Sequence, residues 1–117
     1  MATTATRKTT IGFSGDVASQ HIISAASNTA SPAKLDIVTL ASGANTITAP
    51  TGGSTPVSCT IVPPSGNTTN ITLKGVTGDT GVQLHDTDPS TISLDSSVTT
   101  FCLTAAGTIT GVRLYWT

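Results

Sequence analysis

The chain has 117 residues, of which only 9% are charged and 3% aromatic, and its formal net charge is -1. This composition argues against nucleic-acid binding, because the few cations are scattered and the aromatic platforms that stack bases are scarce. No apolar run approaches the ~20 residues of a membrane span, so a membrane partner is not expected either. An ordinary soluble domain carries about 25% charged residues. We therefore interpret much of this surface as lying in an assembly or facing surroundings in which few charges are needed to keep molecules apart.

The first ten residues, MATTATRKTT, are predicted to form an extended, flexible N-terminal arm with no core-forming pattern. Its charged side chains are those of Arg7 and Lys8. The arm lacks the apolar centre of a secretory signal, so we expect the chain to be made in the cytoplasm. Residues 11–34 are rich in Ala and Ser, and either an edge strand or a short helix is possible there.

From Leu35 onward, short runs of alternating apolar and polar residues are separated by turn signals rich in Gly, Pro and Asn. Runs of this kind, with a turn roughly every 8–12 residues, are typical of sandwiches and jelly rolls. The predicted fold is all-β, an antiparallel β-sandwich or jelly-roll-like barrel forming one domain over residues 11–117. Its eight predicted strands cover residues 35–40, 45–49, 57–62, 70–74, 81–85, 91–94, 98–104 and 111–116.

One parity of each predicted strand is apolar, whereas Ser, Thr, Gln and Arg fill the positions between. Because side chains alternate between the two faces of a strand, the apolar parity predicts the core. The predicted core residues are Val57, Ile61, Ile71, Leu73, Val82, Leu84, Ile92, Leu94, Phe101, Leu103, Val112, Leu114 and Trp116.

The two cysteines are predicted to be free thiols. Cys59 shares a face with Ile61, which indicates burial in the core, whereas Cys102 shares a face with Thr100 and Thr104. Sulfur atoms on opposite faces of their strands should not meet. Two free thiols suit a reducing compartment.

Three carboxylates, those of Asp79, Asp86 and Asp88, lie in or near two neighbouring turns. They could hold a calcium ion, which takes about six to eight oxygen ligands. The alternative is turn chemistry, in which Asp side chains accept hydrogen bonds from nearby backbone N–H groups. We favour the second, because no complete ligand-loop spacing is present, and we expect no metal or other cofactor.

Neither of the remaining candidate sites indicates catalysis, so we do not expect an enzyme. His21 and His85 are the only imidazoles, and no nucleophile elbow accompanies them. The glycine-rich segment GVTGDTG at residues 75–81 precedes a predicted strand, whereas a phosphate-binding loop precedes a helix. We interpret it as a hairpin loop.

Two segments, LASGANTITAP at residues 40–50 and TIVPPSGNTTNITLKGVTGDTGVQLH at residues 60–85, resemble small β-rich virion proteins of tailed bacteriophages. The capsid decoration, or cement, proteins are the nearest kind. The resemblance implies a protein on the outside of the head, often a trimer, that braces neighbouring capsid subunits. It carries over no catalytic residues. The matching residues are structural: Gly75, Gly78 and Gly81 in one turn, and Asn67 and Asn70 beside the preceding turn.

The expected function is therefore that of a structural virion protein, a homotrimer that binds the major capsid protein and stabilises the assembled shell. The residues expected to bind this partner are Arg7, Lys8, Phe13 and Tyr115. The alternative is a receptor- or carbohydrate-binding β module associated with a tail or fibre, and a hydrolytic enzyme ranks last. Binding to a glycan array or to host cells would distinguish the first alternative.

Overall fold

The computed structural model describes residues 5–7, 10–11, 23–24, 28–30, 34–50, 58–95 and 97–117. Every regular element in this part of the chain is a β-strand, so the predicted all-β class is confirmed. Four short strands come first: β1 (Ala5–Arg7), β2 (Thr10–Ile11), β3 (Ile23–Ser24) and β4 (Asn28–Ala30). β1 pairs with β4 and β2 pairs with β3, both antiparallel. The boundary between an arm and a domain at residue 10 stays a prediction.

Eight further strands form two four-stranded antiparallel sheets, as the sandwich prediction requires. The first sheet has the order β10-β7-β12-β5 and the second sheet has the order β6-β11-β8-β9. The strands are β5 (Lys34–Leu40), β6 (Gly43–Thr48), β7 (Ser58–Val62), β8 (Ile71–Lys74), β9 (Val82–Gln83), β10 (Ser90–Ser93), β11 (Thr100–Ala105) and β12 (Ile109–Trp116).

The pairing of these eight strands is nested in the manner of a jelly roll. The innermost pair is β8 with β9. In the sequence it is enclosed by the pair β7 with β10, which is enclosed by β6 with β11, and β5 with β12 is the outermost pair. The remaining ladders, β12 with β7 and β11 with β8, complete the two sheets. A long hairpin of four strand pairs has thus rolled up into two facing sheets, which is the jelly-roll form of the predicted sandwich.

The core lies between the two sheets. Phe101 of the second sheet faces Trp116 of the first, with ring centroids 6.1 Å apart. The predicted core residues Ile61, Ile71, Phe101, Leu103, Val112, Leu114 and Trp116 are all buried. Five further members of the core cluster among the described residues were not predicted, which are Leu40, Ile47, Ala49, Ala105 and Ile109. Val57 lies outside the described residues.

The prediction that Val82 belongs to the core is wrong, because its side chain is 65% exposed. Val82 lies opposite Leu73 in the register, so it faces the expected side of the sheet. However, β9 is an edge strand of two residues, and the sheets are open there. The other predicted core residues near this opening are only partly buried against the core: Leu73, Leu84, Ile92 and Leu94.

A β-bulge in β12 changes which residues of that strand face the core. Ile109 lies opposite Leu40 and Val112 lies opposite Val38, so β12 advances three residues where β5 advances only two. Gly111, within this bulge, has a φ of +83°, a backbone conformation that favours glycine. The extra residue lets both Ile109 and Val112 point inward, although their spacing is odd.

The predictions for the cysteines are confirmed, since both are free and Cys59 is buried. Burial, with a smaller contribution from the negative charge of Asp36, raises the pKa of Cys59 to about 12. Cys102 is also buried, although it lies on the opposite face of its sheet from the core residues Phe101 and Leu103. The Cys102 Sγ lies 3.7 Å from the Thr104 Oγ1.

The segment GVTGDTG connects β8 to β9 and is a hairpin loop, as predicted. Asp79 accepts a hydrogen bond from the backbone N–H of Val76 at 3.0 Å, which closes the turn. Gly81 has a φ of +75°, and a Cβ there would lie 2.5 Å from the carbonyl oxygen of Leu73. The last glycine of the loop is therefore required by both conformation and space.

Candidate functional site

Of the four predicted partner-binding residues, only Tyr115 has a described side chain. Arg7 lies in β1 opposite Asn28 of β4. Lys8 and Phe13 lie outside the described residues. Tyr115 lies in β12 with its side chain 37% exposed on the outer face of the first sheet.

Two rows of side chains cross the first sheet at this point. Tyr115 of β12 lies between Thr60 of β7 and Leu35 of β5. In the neighbouring row, Arg113 lies between Val62 and Ile37. We call this surface the Tyr115 face, and it consists of Leu35, Ile37, Val62, Arg113 and Tyr115.

The Tyr115 face is apolar and partly exposed. Leu35 is 49% exposed and Ile37 is 65% exposed, whereas Asp36, Val38 and Leu40 on the other side of β5 are half-buried or buried. Three large apolar side chains side by side are more than the scattered exposed residues of an ordinary surface. Arg113 is exposed among them and can donate hydrogen bonds to a carboxylate or a carbonyl oxygen. This surface can therefore contact an apolar protein surface that also offers an acceptor.

The inner side of β5 is fixed to the core, which holds the Tyr115 face in place. The indole Nε1 of Trp116 donates a hydrogen bond to Asp36 Oδ2 at 3.1 Å. Lys34 forms an ion pair with the same carboxylate at 3.3 Å. Because Asp36 points inward, its neighbours Leu35 and Ile37 must point outward.

Leu35 and Ile37 were not predicted as members of a candidate site. The signal was present in LDIVTL, the segment from Leu35 to Leu40, which carries apolar residues at both parities. A strand that is apolar on both faces is either buried on both or exposed on one. The exposed face is visible only once the contact of Asp36 with Trp116 shows which parity of β5 points inward.

The three carboxylates predicted near two turns do not come together as a metal site. Within residues 34–50, 58–95 and 97–117, no three His, Cys, Asp or Glu side chains are grouped so that they could hold an ion. His85 instead accepts hydrogen bonds at Nδ1 from the backbone N–H groups of Thr87, at 3.2 Å, and Asp88, at 2.9 Å. The segment HDTDP, residues 85–89, is thus organised by local turn chemistry, and His85 contributes to it as an acceptor.

An apolar cleft of about 580 Å³ opens between the two sheets beside the edge strands β9 and β10. It exists because the side chains on the inner faces of these short strands are too few to close the sandwich. The apolar residues that line it are Leu73, Val82, Ile92, Leu94, Val98 and Phe101.

A more polar groove of about 560 Å³ adjoins the Tyr115 face, with which it shares Val62 and Arg113. Its far side carries Thr87 and Asp88, so a hydroxyl, a carboxylate and a guanidinium line one depression. These groups can both donate and accept hydrogen bonds. The groove can therefore receive a small polar ligand or a loop of a partner.

None of the described elements is a helix with the length and apolar character that crossing a membrane requires. The chain matches no protein-family model, no curated protein and no solved structure.

Proposed function

We propose that the chain is a structural virion protein that attaches to the outside of a phage capsid and stabilises the assembled shell. The observation that supports this proposal is the Tyr115 face, an exposed apolar surface on the outer face of the first sheet. Exposed apolar patches on soluble proteins mark sites of interaction with other proteins. The low charged fraction of the chain, 9%, agrees with a surface that is partly covered in an assembly.

In this proposal Tyr115, Leu35 and Ile37 pack against the major capsid protein, and Arg113 meets an acceptor on it. An aromatic and an arginine within an apolar patch are the residue types that dominate protein–protein binding energies. The contact needs an interface of roughly 1,000 Å² or more in total to be specific. Because apolar packing dominates, binding should weaken little as the salt concentration rises.

Stabilisation of the shell follows from mass action. A protein that binds only the assembled lattice shifts the equilibrium toward that lattice, and many copies multiply the effect. The proposed location is therefore the virion, after synthesis in the host cytoplasm, and the proposed form is a homo-oligomer.

The test is occupancy on purified heads of the phage that encodes the chain. Heads are stripped of the protein and incubated with the wild type, with Tyr115→Ser or with Val76→Ser. Val76 is 65% exposed in the β8–β9 turn of the other sheet, so its substitution is a matched control. We expect Tyr115→Ser to lower occupancy at least about tenfold, as for a central interface residue, and Val76→Ser to leave it unchanged. Equal occupancy of all three proteins would contradict the proposed surface.

A receptor- or carbohydrate-binding module is the second candidate, favoured by the groove that joins Arg113, Thr87 and Asp88. Polar groups that converge on a depression can recognise sugar hydroxyls. Binding of the isolated chain to a glycan array, lost in Arg113→Ala, together with no binding to heads, would establish this function instead.

A further inference from the structure

The first sheet ends at β5 with backbone groups that point away from the sheet. Ser58 of β7 and Thr117 at the end of β12 exchange two backbone hydrogen bonds of 3.0 Å each. Hydrogen bonding alternates along an antiparallel strand, so Tyr115 and Arg113 also direct their backbone groups toward β7. Trp116 and Leu114 then direct theirs toward β5, where their partners in the register are Lys34 and Asp36.

It follows that the alternate residues of β5, Leu35, Ile37 and Thr39, direct their N–H and C=O groups outward from the sheet. No described strand pairs with this side of β5. An open row of three donors and three acceptors is a template for another β-strand.

The β5 edge differs from the other three edges of the sandwich in length and in side chains. β9 has two residues and β10 has four, whereas β5 has seven. The exposed residues of the edge strand β6 are Ala44, Thr46 and Thr48, which are small or polar. β5 contains no proline, and the bulge in its ladder with β12 places the extra residue on β12. Proline, bulges and outward charges, three of the devices that protect an edge, are thus missing from the centre of β5; its one inward charge, that of Asp36, is bonded within its own chain.

We propose that two copies of the chain join by antiparallel pairing of β5 with β5 of the second copy, about a two-fold axis between the two Ile37 residues. This pairing forms one continuous eight-stranded sheet from the two first sheets. It is an isologous contact, in which the same surface is used by both copies.

The edge is self-complementary in this register. Ile37 lies opposite Ile37 of the second copy, and Leu35 lies opposite Thr39 of the second copy. All three are positions whose backbone groups point outward, so every outward N–H and C=O of both strands finds a partner. On the outer face the two Ile37 side chains touch across the axis, and such apolar cross-strand pairs stabilise a sheet.

The charged residues of β5 do not oppose this pairing. Lys34 falls opposite Leu40 of the second copy, and Asp36 falls opposite Val38. No like charges face each other across the axis, which would destabilise a sheet. Asp36 is moreover already bonded to Trp116 and Lys34 of its own chain.

The pairing sets the oligomeric state and the shape of the docking surface. An isologous pair closes at two copies, whereas the resemblance to decoration proteins implies a trimer. The two Tyr115 faces would become neighbours on one side of the joined sheet and so double the apolar surface. The pairing concerns the chain alone in solution and does not depend on attachment to a capsid.

The test introduces a positive charge at Ile37 in one variant and a negative charge in another. The molecular mass of each full chain in solution is measured by light scattering coupled to size exclusion. The wild type should have twice the mass of one 11.7 kDa chain. Ile37→Lys alone, and Ile37→Asp alone, place two like charges opposite each other, and each should raise the dissociation constant at least about tenfold. An equimolar mixture of the two variants should restore the dimer, because opposite charges then face each other.

Val76→Lys is the control, because Val76 has the same 65% exposure as Ile37 but lies away from β5. It should leave the dimer intact, and a single cooperative unfolding transition in each variant should show that all of them fold. A wild type that is monomeric or trimeric would overturn the proposal. So would variants that remain dimeric alone, or a mixture that stays monomeric. Loss of head binding by a protein that still dimerises would count against the proposed function and not against this pairing.

Discussion

Trp116 and Asp36, 80 residues apart in the sequence, are joined by a hydrogen bond from the indole Nε1 to the carboxylate Oδ2 at 3.1 Å. Trp116 is 1% exposed, so its N–H has little access to water and requires a protein acceptor. This bond ties the edge strand β5 to the buried face of β12. It also determines which parity of β5 faces solvent, and therefore where the Tyr115 face lies.

Replacement of Asp36 tests the importance of this acceptor. Asp36→Ala leaves a buried N–H without a partner, which should lower the free energy of unfolding by about 1–3 kcal/mol. Asp36→Asn keeps an acceptor oxygen and should cost less. Lys34→Ala removes an ion pair in which the Lys34 side chain is 54% exposed, and should have the smallest effect. Urea unfolding of the three variants gives the order, and a loss in Lys34→Ala as large as in Asp36→Ala would contradict it.

Glycine is required at one of two loop positions that look alike in the sequence. A Cβ on Gly81 would lie 2.5 Å from the Leu73 carbonyl oxygen in a backbone with a φ of +75°, whereas a Cβ on Gly78 would meet nothing within 4 Å. We expect Gly81→Ala to lower the free energy of unfolding by more than about 1 kcal/mol, and Gly78→Ala to change it by less than about 0.5 kcal/mol. Thermal unfolding of the pair decides, and equal effects would show that the hairpin adapts.

Core and edge residues of the second sheet should respond differently to truncation. Leu103 is fully buried, whereas Val82 is 65% exposed. Leu103→Ala should cost about 2–5 kcal/mol of stability, because it removes buried contacts and leaves a cavity. Val82→Ala should change stability by no more than about 0.5 kcal/mol. A large loss in Val82→Ala, measured by denaturant unfolding, would mean that the cleft beside it is closed in solution.

The buried thiol of Cys59 should make the protein sensitive to alkaline pH. Its pKa is raised from 9.0 to about 12, first by burial and second by the charge of Asp36. The unfolded chain therefore releases this proton at a lower pH than the folded chain. The contribution to stability is complete below pH 9 and is lost as the pH rises from 9 toward 12, by up to about 1.4 kcal/mol per pH unit.

Cys59→Ala removes this titration, so the stability difference between the wild type and the variant should shrink across that window. Urea unfolding of both proteins under reducing conditions, below pH 9 and at about pH 11, measures it. A difference that stays constant with pH would show that the thiol ionises equally in both states.

The strand positions and much of the core could be predicted because alternation and turn residues are local signals. Ile71 and Leu103 belong to strands with one clearly apolar parity, and both are buried as predicted. Ile109 was missed because it lies before the predicted strand 111–116, on the other side of the bulge at Gly111 that shifts the parity of β12. Val82 has the right parity, but its exposure depends on the length of β9 and on its place at an edge.

The candidate site was predicted only in part, for a related reason. Tyr115 stands out as a large side chain on a polar parity, whereas Leu35 and Ile37 lie in a strand that is apolar on both faces. Deciding which face is exposed requires the contacts on the inner side of β5, above all those of Asp36 with Trp116 and Lys34. Those are long-range relationships, and local alternation does not contain them.

The central claim, attachment to a capsid that stabilises the shell, is tested most directly by the heat resistance of phage heads with and without this protein. Heads that carry the chain should release their DNA at a higher temperature than stripped heads, and adding the purified chain back should restore the difference. The protein should also copurify with heads and be absent from separated tails. Heads that release DNA at the same temperature with and without the chain would contradict the claim.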